Sequence, residues 1–185
     1  MSFKGLASDD PTAAATSHPS PSPSDADCWV FDVDGCLVDS LTGSSLRPGA
    51  RELLDHLALR GTLVLLWSAG GDAYARARAE AFGVDHLVGG FFAKDGRDPE
   101  GFYLTAHLPL PPARSSTVFV DDRPEDLSRS LAVIAVSPYL SDDSFDKGLS
   151  TAARRAGLGW PTSGAPNRVH PSPPPATGST SRSGT

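Results

Sequence analysis

Short apolar runs, separated by segments with helical features, recur along the middle of the chain. Such runs are typical of buried parallel strands, because helices between them cover both faces of the sheet. The alternation predicts an α/β protein with a three-layer, Rossmann-like parallel sheet of about five strands. The predicted strands cover 28–32, 62–67, 86–92, 117–120 and 132–136.

Helix signals lie between these runs. Prolines and aspartates suit the first turns, apolar residues recur at helical spacing, and glycines suit the ends. Helices are therefore predicted from Pro48 to before Gly61, from Asp72 to before Gly83, over 99–107, from near Pro124, and from Asp142 or Asp143 onward. The last helix is expected to bury Phe145, Leu149, Ala152, Ala153 and Ala156.

The two ends differ from the middle in composition. Residues 1–27 and 161–185 hold more than half of the 17 prolines, and Phe3 is their single aromatic residue. Such segments cannot bury enough apolar surface to offset the entropy of ordering. We expect disordered tails there, and one domain over 28–160.

The overall charge and the cysteine content exclude several classes of protein. The formal net charge is −6, which argues against a large nucleic-acid or anionic-membrane footprint. No apolar run approaches the roughly 18 residues of a membrane span. Cys28 and Cys36 bracket a predicted strand, too far apart for a disulfide, so a cytoplasmic protein is expected. An oligomer is left open.

Polar residues follow three of the predicted strands. Asp32 and Asp34 end the first, Ser68 follows the second, and Asp121 and Asp122 end the fourth. In parallel sheets, working residues gather at the carboxyl ends of strands, at a switch in strand order. Four carboxylates in one crevice call for a hard divalent cation, for which Mg²⁺ is the candidate. Alternatively, each pair of acids caps the turn that follows it.

The segments FDVDG, LLWSAG and FVDDRPEDL resemble the signature motifs of the haloacid dehalogenase superfamily, in the same order. The resemblance covers 28–140 and implies a Mg²⁺-dependent phosphomonoesterase. It matches Asp32 to a nucleophile that becomes an aspartyl-phosphate, Asp34 to a general acid and base, and Ser68 to a hydroxyl that holds a phosphoryl oxygen. Asp121 and Asp122 match the metal-binding acids, with Asp32 and the main-chain carbonyl of Asp34 as further ligands.

The superfamily also places a basic residue after the third strand, where it stabilises the nucleophile and the phosphate. Lys94 follows that strand here and is the first candidate. The spacing from Lys94 to Asp98 is longer than the common pattern, so Arg97 is a rival. Both residues are therefore candidates for the contact with Asp32.

No substantial cap domain fits at either place where the superfamily inserts one. Residues 35–46 leave room for a flap, whose turn Asp39 is expected to cap. The segment between Phe92 and Thr117 is short and already contains Lys94. Uncapped members of the superfamily often act on large substrates that cover the site themselves. The expected partner is a phosphorylated substrate, either a small molecule or a phosphoprotein.

Other functions compete with this prediction. A non-catalytic or regulatory binding module would keep the fold without turnover, and a nucleic-acid-end phosphatase would have to bind nucleic acid with an acidic domain. A dehalogenase would use the nucleophile without metal, and would not need Asp34 or the pair Asp121 and Asp122.

Overall fold

A computed structural model of the protein describes residues 23–112, 116–141 and 143–158. Five strands form one sheet: β1 (Cys28–Phe31), β2 (Leu63–Ser68), β3 (Gly90–Ala93), β4 (Thr117–Asp121) and β5 (Ala132–Ala135). Their order is β3-β2-β1-β4-β5, and neighbouring strands run parallel. The predicted parallel α/β fold is confirmed.

The helices are α1 (Ala50–Leu59), α2 (Asp72–Ala81) and α3 (Gly148–Arg155). Short 3-10 turns form at Pro23–Asp25, Asp85–Leu87 and Pro124–Asp126. The helix α1 links β1 to β2 and α2 links β2 to β3. The chain then crosses back to place β4 on the other side of β1, which creates the switch in strand order.

Side chains of the strands alternate between two faces, and the two faces have different covers. Trp29 and Phe31 belong to a core cluster that includes buried residues of α1, α2 and α3. Val30 points to the opposite face and packs with Leu108 and Leu127. Helices therefore cover one face, whereas irregular segments cover much of the other.

The helix predicted over 99–107 is wrong. This segment forms turns, and Arg97 pairs with Tyr103 in an isolated antiparallel bridge. The Oδ1 atom of Asp98 accepts hydrogen bonds from the N–H groups of Glu100 and Phe102, at 3.0 and 2.9 Å. Asp98 thus closes a local turn instead of starting a helix, because such side-chain bonds compete with helical ones.

Two other local predictions are wrong in part. The third strand starts at Gly90 and not at residue 86, because Asp85–Leu87 forms a 3-10 turn. Phe145 is 84% exposed, since α3 begins after it, whereas the other predicted inner residues are buried. Asp143 does not start α3, and Asp142 lies outside the described residues.

The predicted tails lie mostly outside the described residues and stay predictions. The described chain begins before Cys28: Ala26 is buried, and the Asp27 N–H donates to the Ser116 carbonyl at 2.8 Å. Across the three described ranges, no helix has the length and apolar character needed to cross a membrane.

Candidate active site

Four neighbouring strands each bring one predicted site residue to the same edge of the sheet. Lys94 follows β3, Ser68 ends β2, Asp32 follows β1 and Asp121 ends β4. The sheet pattern continues past the strands, since the Asp32 N–H donates to Val120 at 2.9 Å and the Lys94 N–H donates to Ser68 at 2.8 Å. This edge is the switch point, where ligands bind in open α/β sheets.

The ammonium group of Lys94 bridges two carboxylates. Its Nζ lies 2.7 Å from Asp32 Oδ1 and 2.8 Å from Asp121 Oδ2. The three side chains are only 6%, 9% and 3% exposed. Burial lowers the pKa of Lys94, but the charges of Asp32 and Asp121 outweigh burial and raise that pKa above its ordinary value. Lys94 is therefore a fixed positive charge beside Asp32.

Arg97, the rival of Lys94, faces elsewhere. Its Nη1 donates to Asp126 Oδ1 at 3.1 Å, and its guanidinium lies 3.9 Å from the centre of the Tyr103 ring. Of the two basic candidates, Lys94 is the one that contacts Asp32.

Two aromatic rings flank Lys94. Its Nζ lies 5.4 Å from the centre of the Trp67 ring and 5.5 Å from that of Tyr103. Such positions favour a cation, because ring faces carry negative potential. The Trp67 Nε1 donates to the Ala93 carbonyl at 2.9 Å, which fixes the ring. In the sequence, Trp67 is only the last residue of a predicted strand, and Tyr103 has no local motif around it, so neither contact with Lys94 was predictable.

Three carboxylates converge next to Lys94. One oxygen from each of Asp32, Asp121 and Asp122 lies within 4.8 Å of the other two. Burial raises the pKa of Asp32 to about 7; Lys94 opposes this increase and Asp121 adds to it. Burial, together with the charge of Asp121, also raises the pKa of Asp122. One ammonium does not balance three carboxylates, and an all-oxygen donor set fits a hard divalent cation.

The turn after β1 requires a glycine. Gly35 has φ +80°, and a Cβ added there would collide with Oδ2 of Asp122. Both features restrict other residues at this position. The backbone of the first motif can thus approach the carboxylate of the last.

Asp34 and Ser68 lie at this edge with other partners. Asp34 Oδ1 accepts a short hydrogen bond from the Tyr74 hydroxyl, and the Asp34 side chain is not part of the three-carboxylate group. Ser68 is fully buried, and its Oγ accepts a hydrogen bond from the Gly70 N–H at 3.0 Å. Tyr74 was not singled out from the sequence, because it lies 40 residues from Asp34.

The flap over residues 35–46 is held by one buried residue within it and by another just after it. Asp39 is buried and accepts hydrogen bonds from the backbone N–H groups of four flap residues, as expected of a turn cap: Thr42, Gly43, Ser44 and Ser45. Arg47, which follows the flap in sequence, donates through Nη1 to the carbonyls of Gly35 and Cys36, each at 3.2 Å. Arg47 was another residue that sequence analysis missed.

Both cysteines in the described chain are free and buried. Burial, and next the charges of Asp32 and Asp121, raise the pKa of the Cys36 thiol well above its ordinary value. A thiol of this kind is unreactive, although it sits beside the acids.

Fold and site together define a parallel α/β protein with a lysine-bridged carboxylate cluster at the switch point of its sheet. No protein-family model matches the chain, and no curated protein matches it. Among solved structures, it resembles a candidate phosphatase from Clostridium difficile, with 13% sequence identity and a TM-score of 0.49. The match covers 69% of this chain and 91% of the other. We take no functional conclusion from a similarity at this level.

Proposed function

We propose that this protein is a Mg²⁺-dependent phosphomonoesterase of the haloacid dehalogenase type, in which Asp32 is the nucleophile. The observation that carries the proposal is the bridge of Lys94 between Asp32 and Asp121, with Asp122 beside them. A site with one lysine and three converging carboxylates is suited to a dianionic phosphate ester only if further positive charge enters with it.

The proposed reaction has two steps. In the first, a carboxylate oxygen of Asp32 attacks phosphorus. The bond to the leaving oxygen breaks, and that oxygen takes its electron pair and a proton from the carboxyl of Asp34. In the second, the Asp34 carboxylate takes a proton from water, whose oxygen attacks phosphorus. The bond to Asp32 then breaks, which restores its carboxylate and releases inorganic phosphate. Covalent catalysis of this kind replaces one difficult step by two easier ones.

The other predicted residues orient the phosphate. Lys94 holds Asp32 through Oδ1 and offers a fixed positive charge to the phosphoryl oxygens. Ser68 ends the neighbouring strand and would offer its hydroxyl to one of these oxygens.

The side chains of Asp32, Asp121 and Asp122 would hold Mg²⁺, with the main-chain carbonyl of Asp34 as a further ligand. When bound, the ion supplies charge that offsets the carboxylates and the phosphate.

Phosphorylated small molecules and phosphoproteins are the proposed substrates, because the described residues form no cap domain over the site. The described segments that border it are the flap and the turns around Tyr103, neither of which is a separate cap domain. Large substrates would exclude water with their own surface. We also propose a cytoplasmic location, which the two free cysteines support.

The test is hydrolysis of p-nitrophenyl phosphate by the full chain with Mg²⁺, and with excess chelator after metal removal. Wild type is expected to be active only with Mg²⁺, and Asp32→Asn to be inactive but folded. Asp95→Asn is the matched control, because Asp95 is exposed and next to Lys94 in sequence. Full activity of Asp32→Asn would show that the nucleophile is wrong. If wild type is inactive but binds beryllofluoride, the binding module is the better function.

A further inference from the structure

Tyr74 connects helix α2 to the first motif. It is the third residue of α2, and its hydroxyl donates a short hydrogen bond to Oδ1 of Asp34. Within the part of the chain that the structure describes, no other hydrogen bond reaches the Asp34 carboxyl. The orientation of this carboxyl therefore depends on one residue from a distant element.

The ring of Tyr74 is itself held on several sides. The Arg78 guanidinium lies 4.9 Å from the ring centre, and its Nη1 donates to the Gly43 carbonyl of the flap at 3.0 Å. Gly70, in the loop before α2, leaves the ring its space: a Cβ there would lie 2.7 Å from Tyr74 Cδ1. The hydroxyl is thus presented to Asp34 by a ring fixed between helix, loop and flap.

We propose that Tyr74 is a positioning residue that orients the Asp34 carboxyl for proton transfer; this inference rests on the phosphomonoesterase function proposed above. The hydroxyl donates to Oδ1, which leaves Oδ2 free to carry the proton that Asp34 transfers. Oδ1 can accept the same bond in the acid and the carboxylate forms. Tyr74 therefore keeps the Asp34 carboxyl in one orientation through both proposed steps.

The effect of removing the hydroxyl depends on the leaving group. Protonation by a positioned acid contributes roughly 10²–10⁴-fold to rate, and a poor leaving group needs it most. An alkyl phosphate has such a leaving group, whereas p-nitrophenolate leaves with little protonation. The value of kcat/KM includes only the steps up to departure of the leaving group, so it isolates this effect from hydrolysis of the intermediate.

The experiment compares kcat/KM of wild type and Tyr74→Phe on an alkyl phosphate and on p-nitrophenyl phosphate. Phenylalanine keeps the ring and its contact with Arg78, so the melting temperature should change little. We expect about a 10-fold loss on the alkyl phosphate, a fraction of the full acid contribution, and a much smaller loss on the aryl phosphate. Equal losses on both substrates, or no loss on either, would overturn the proposal.

A double-mutant cycle with Asp34→Asn provides the matched control. If Tyr74 acts through Asp34, then Tyr74→Phe has no additional effect on the leaving-group preference in the Asp34→Asn background. An equal additional effect there would show a role independent of Asp34. Arg78→Met is a second variant, which loosens the ring and keeps the hydroxyl, and a smaller loss in the same direction is expected.

Failure of this proposal and failure of the proposed function give different results. If the function is wrong, wild type hydrolyses neither ester, or Asp32→Asn remains active. If only the role of Tyr74 is wrong, wild type is active, Asp32→Asn is inactive, and Tyr74→Phe leaves the ratio of the two kcat/KM values unchanged.

Discussion

Arg47 and Lys94 are both buried cations held by carboxylates, yet their surroundings differ. Arg47 donates through Nε to Asp146 Oδ1 at 2.6 Å and through Nη2 to Oδ2 at 3.0 Å. Its remaining bonds go to backbone carbonyls: Gly35, Cys36 and Ser137. One positive charge thus meets one negative charge, and the donors of the guanidinium are satisfied.

Lys94 lies in a site whose charge is not balanced. It bonds to Asp32 and Asp121, and Asp122 adds a third carboxylate within reach. Burial raises the pKa values of Asp32 and Asp122, and added positive charge nearby would favour their ionised forms. The Arg47 site has its partners within the protein, and the contrast supports the proposal that a ligand completes the Lys94 site.

The largest effect on stability is expected at the closed site. Arg47→Met leaves Asp146 and the backbone carbonyls without their donor, and breaking a buried ion pair costs about 3–5 kcal/mol. Urea denaturation would measure this loss of unfolding free energy. Arg60→Met is the control, because Arg60 is exposed and its loss should cost about 0.5 kcal/mol or less. Equal losses in both variants would contradict a special role for Arg47.

Substitution of the other buried cation, Lys94, is expected to lower the catalytic rate. Lys94→Met removes the positive charge that faces Asp32, and loss of one such stabilising group lowers kcat by about 10²–10³-fold. Hydrolysis of p-nitrophenyl phosphate at saturating Mg²⁺ measures it. Arg97→Met should change kcat little, since Arg97 contacts Asp126. The reverse ranking of the two variants would assign the role to Arg97.

Mg²⁺ should distinguish the two sites by its effect on stability. A ligand at 100 times its Kd stabilises the folded state by about 2.7 kcal/mol. Wild type and Arg47→Met should both gain this increment, measured as the difference in unfolding free energy with Mg²⁺ and with chelator. Asp122→Asn should gain less, because it lacks one of the three carboxylates. An undiminished gain in Asp122→Asn would place the ion elsewhere.

The smallest expected effects are in the pH dependence of stability, where the two sites have opposite signs. Burial acts to raise the pKa of Asp146, but hydrogen bonds from Arg47 and the Gly148 N–H outweigh it and lower that pKa. The contribution of Asp146 to the unfolding free energy is therefore present above the ordinary pKa of about 3.9. It is lost as pH falls through the lower pKa that Asp146 has in the folded state. Asp32 has a raised pKa, so in metal-free protein its contribution is present at low pH and is lost as pH rises towards about 7.

Urea denaturation in chelator between about pH 3 and 8 tests these signs. Asp32→Asn should be more stable than wild type at the upper end, and this difference should shrink as pH falls to about 4. Asp146→Asn should be less stable than wild type near neutral pH, with a difference that shrinks below about pH 4. A constant difference across the range would contradict the assigned pKa shifts.

The strands and most helices were readable from the sequence because their signals are local. The apolar run over 28–31 and the helical spacing of Leu53 and Leu57 are visible within a few residues, and all of these residues are buried. The wrong prediction of a helix over 99–107 also has a local cause. Asp98 accepts hydrogen bonds from nearby N–H groups in a turn, and Gly101 has φ +93°. No helix therefore forms here, although an aspartate followed by a proline is typical of a helix start.

The positions of the acids at strand ends were predictable for the same reason, since a parallel sheet brings its carboxyl ends to one edge. The partners of these acids were not. Tyr74 meets Asp34 across 40 residues and Arg47 meets Asp146 across 99, and no spacing rule connects them. Tertiary structure alone decided that Lys94 and not Arg97 contacts Asp32, because the crossover from β3 to β4 sets which side chain points into the switch point and which points at Asp126.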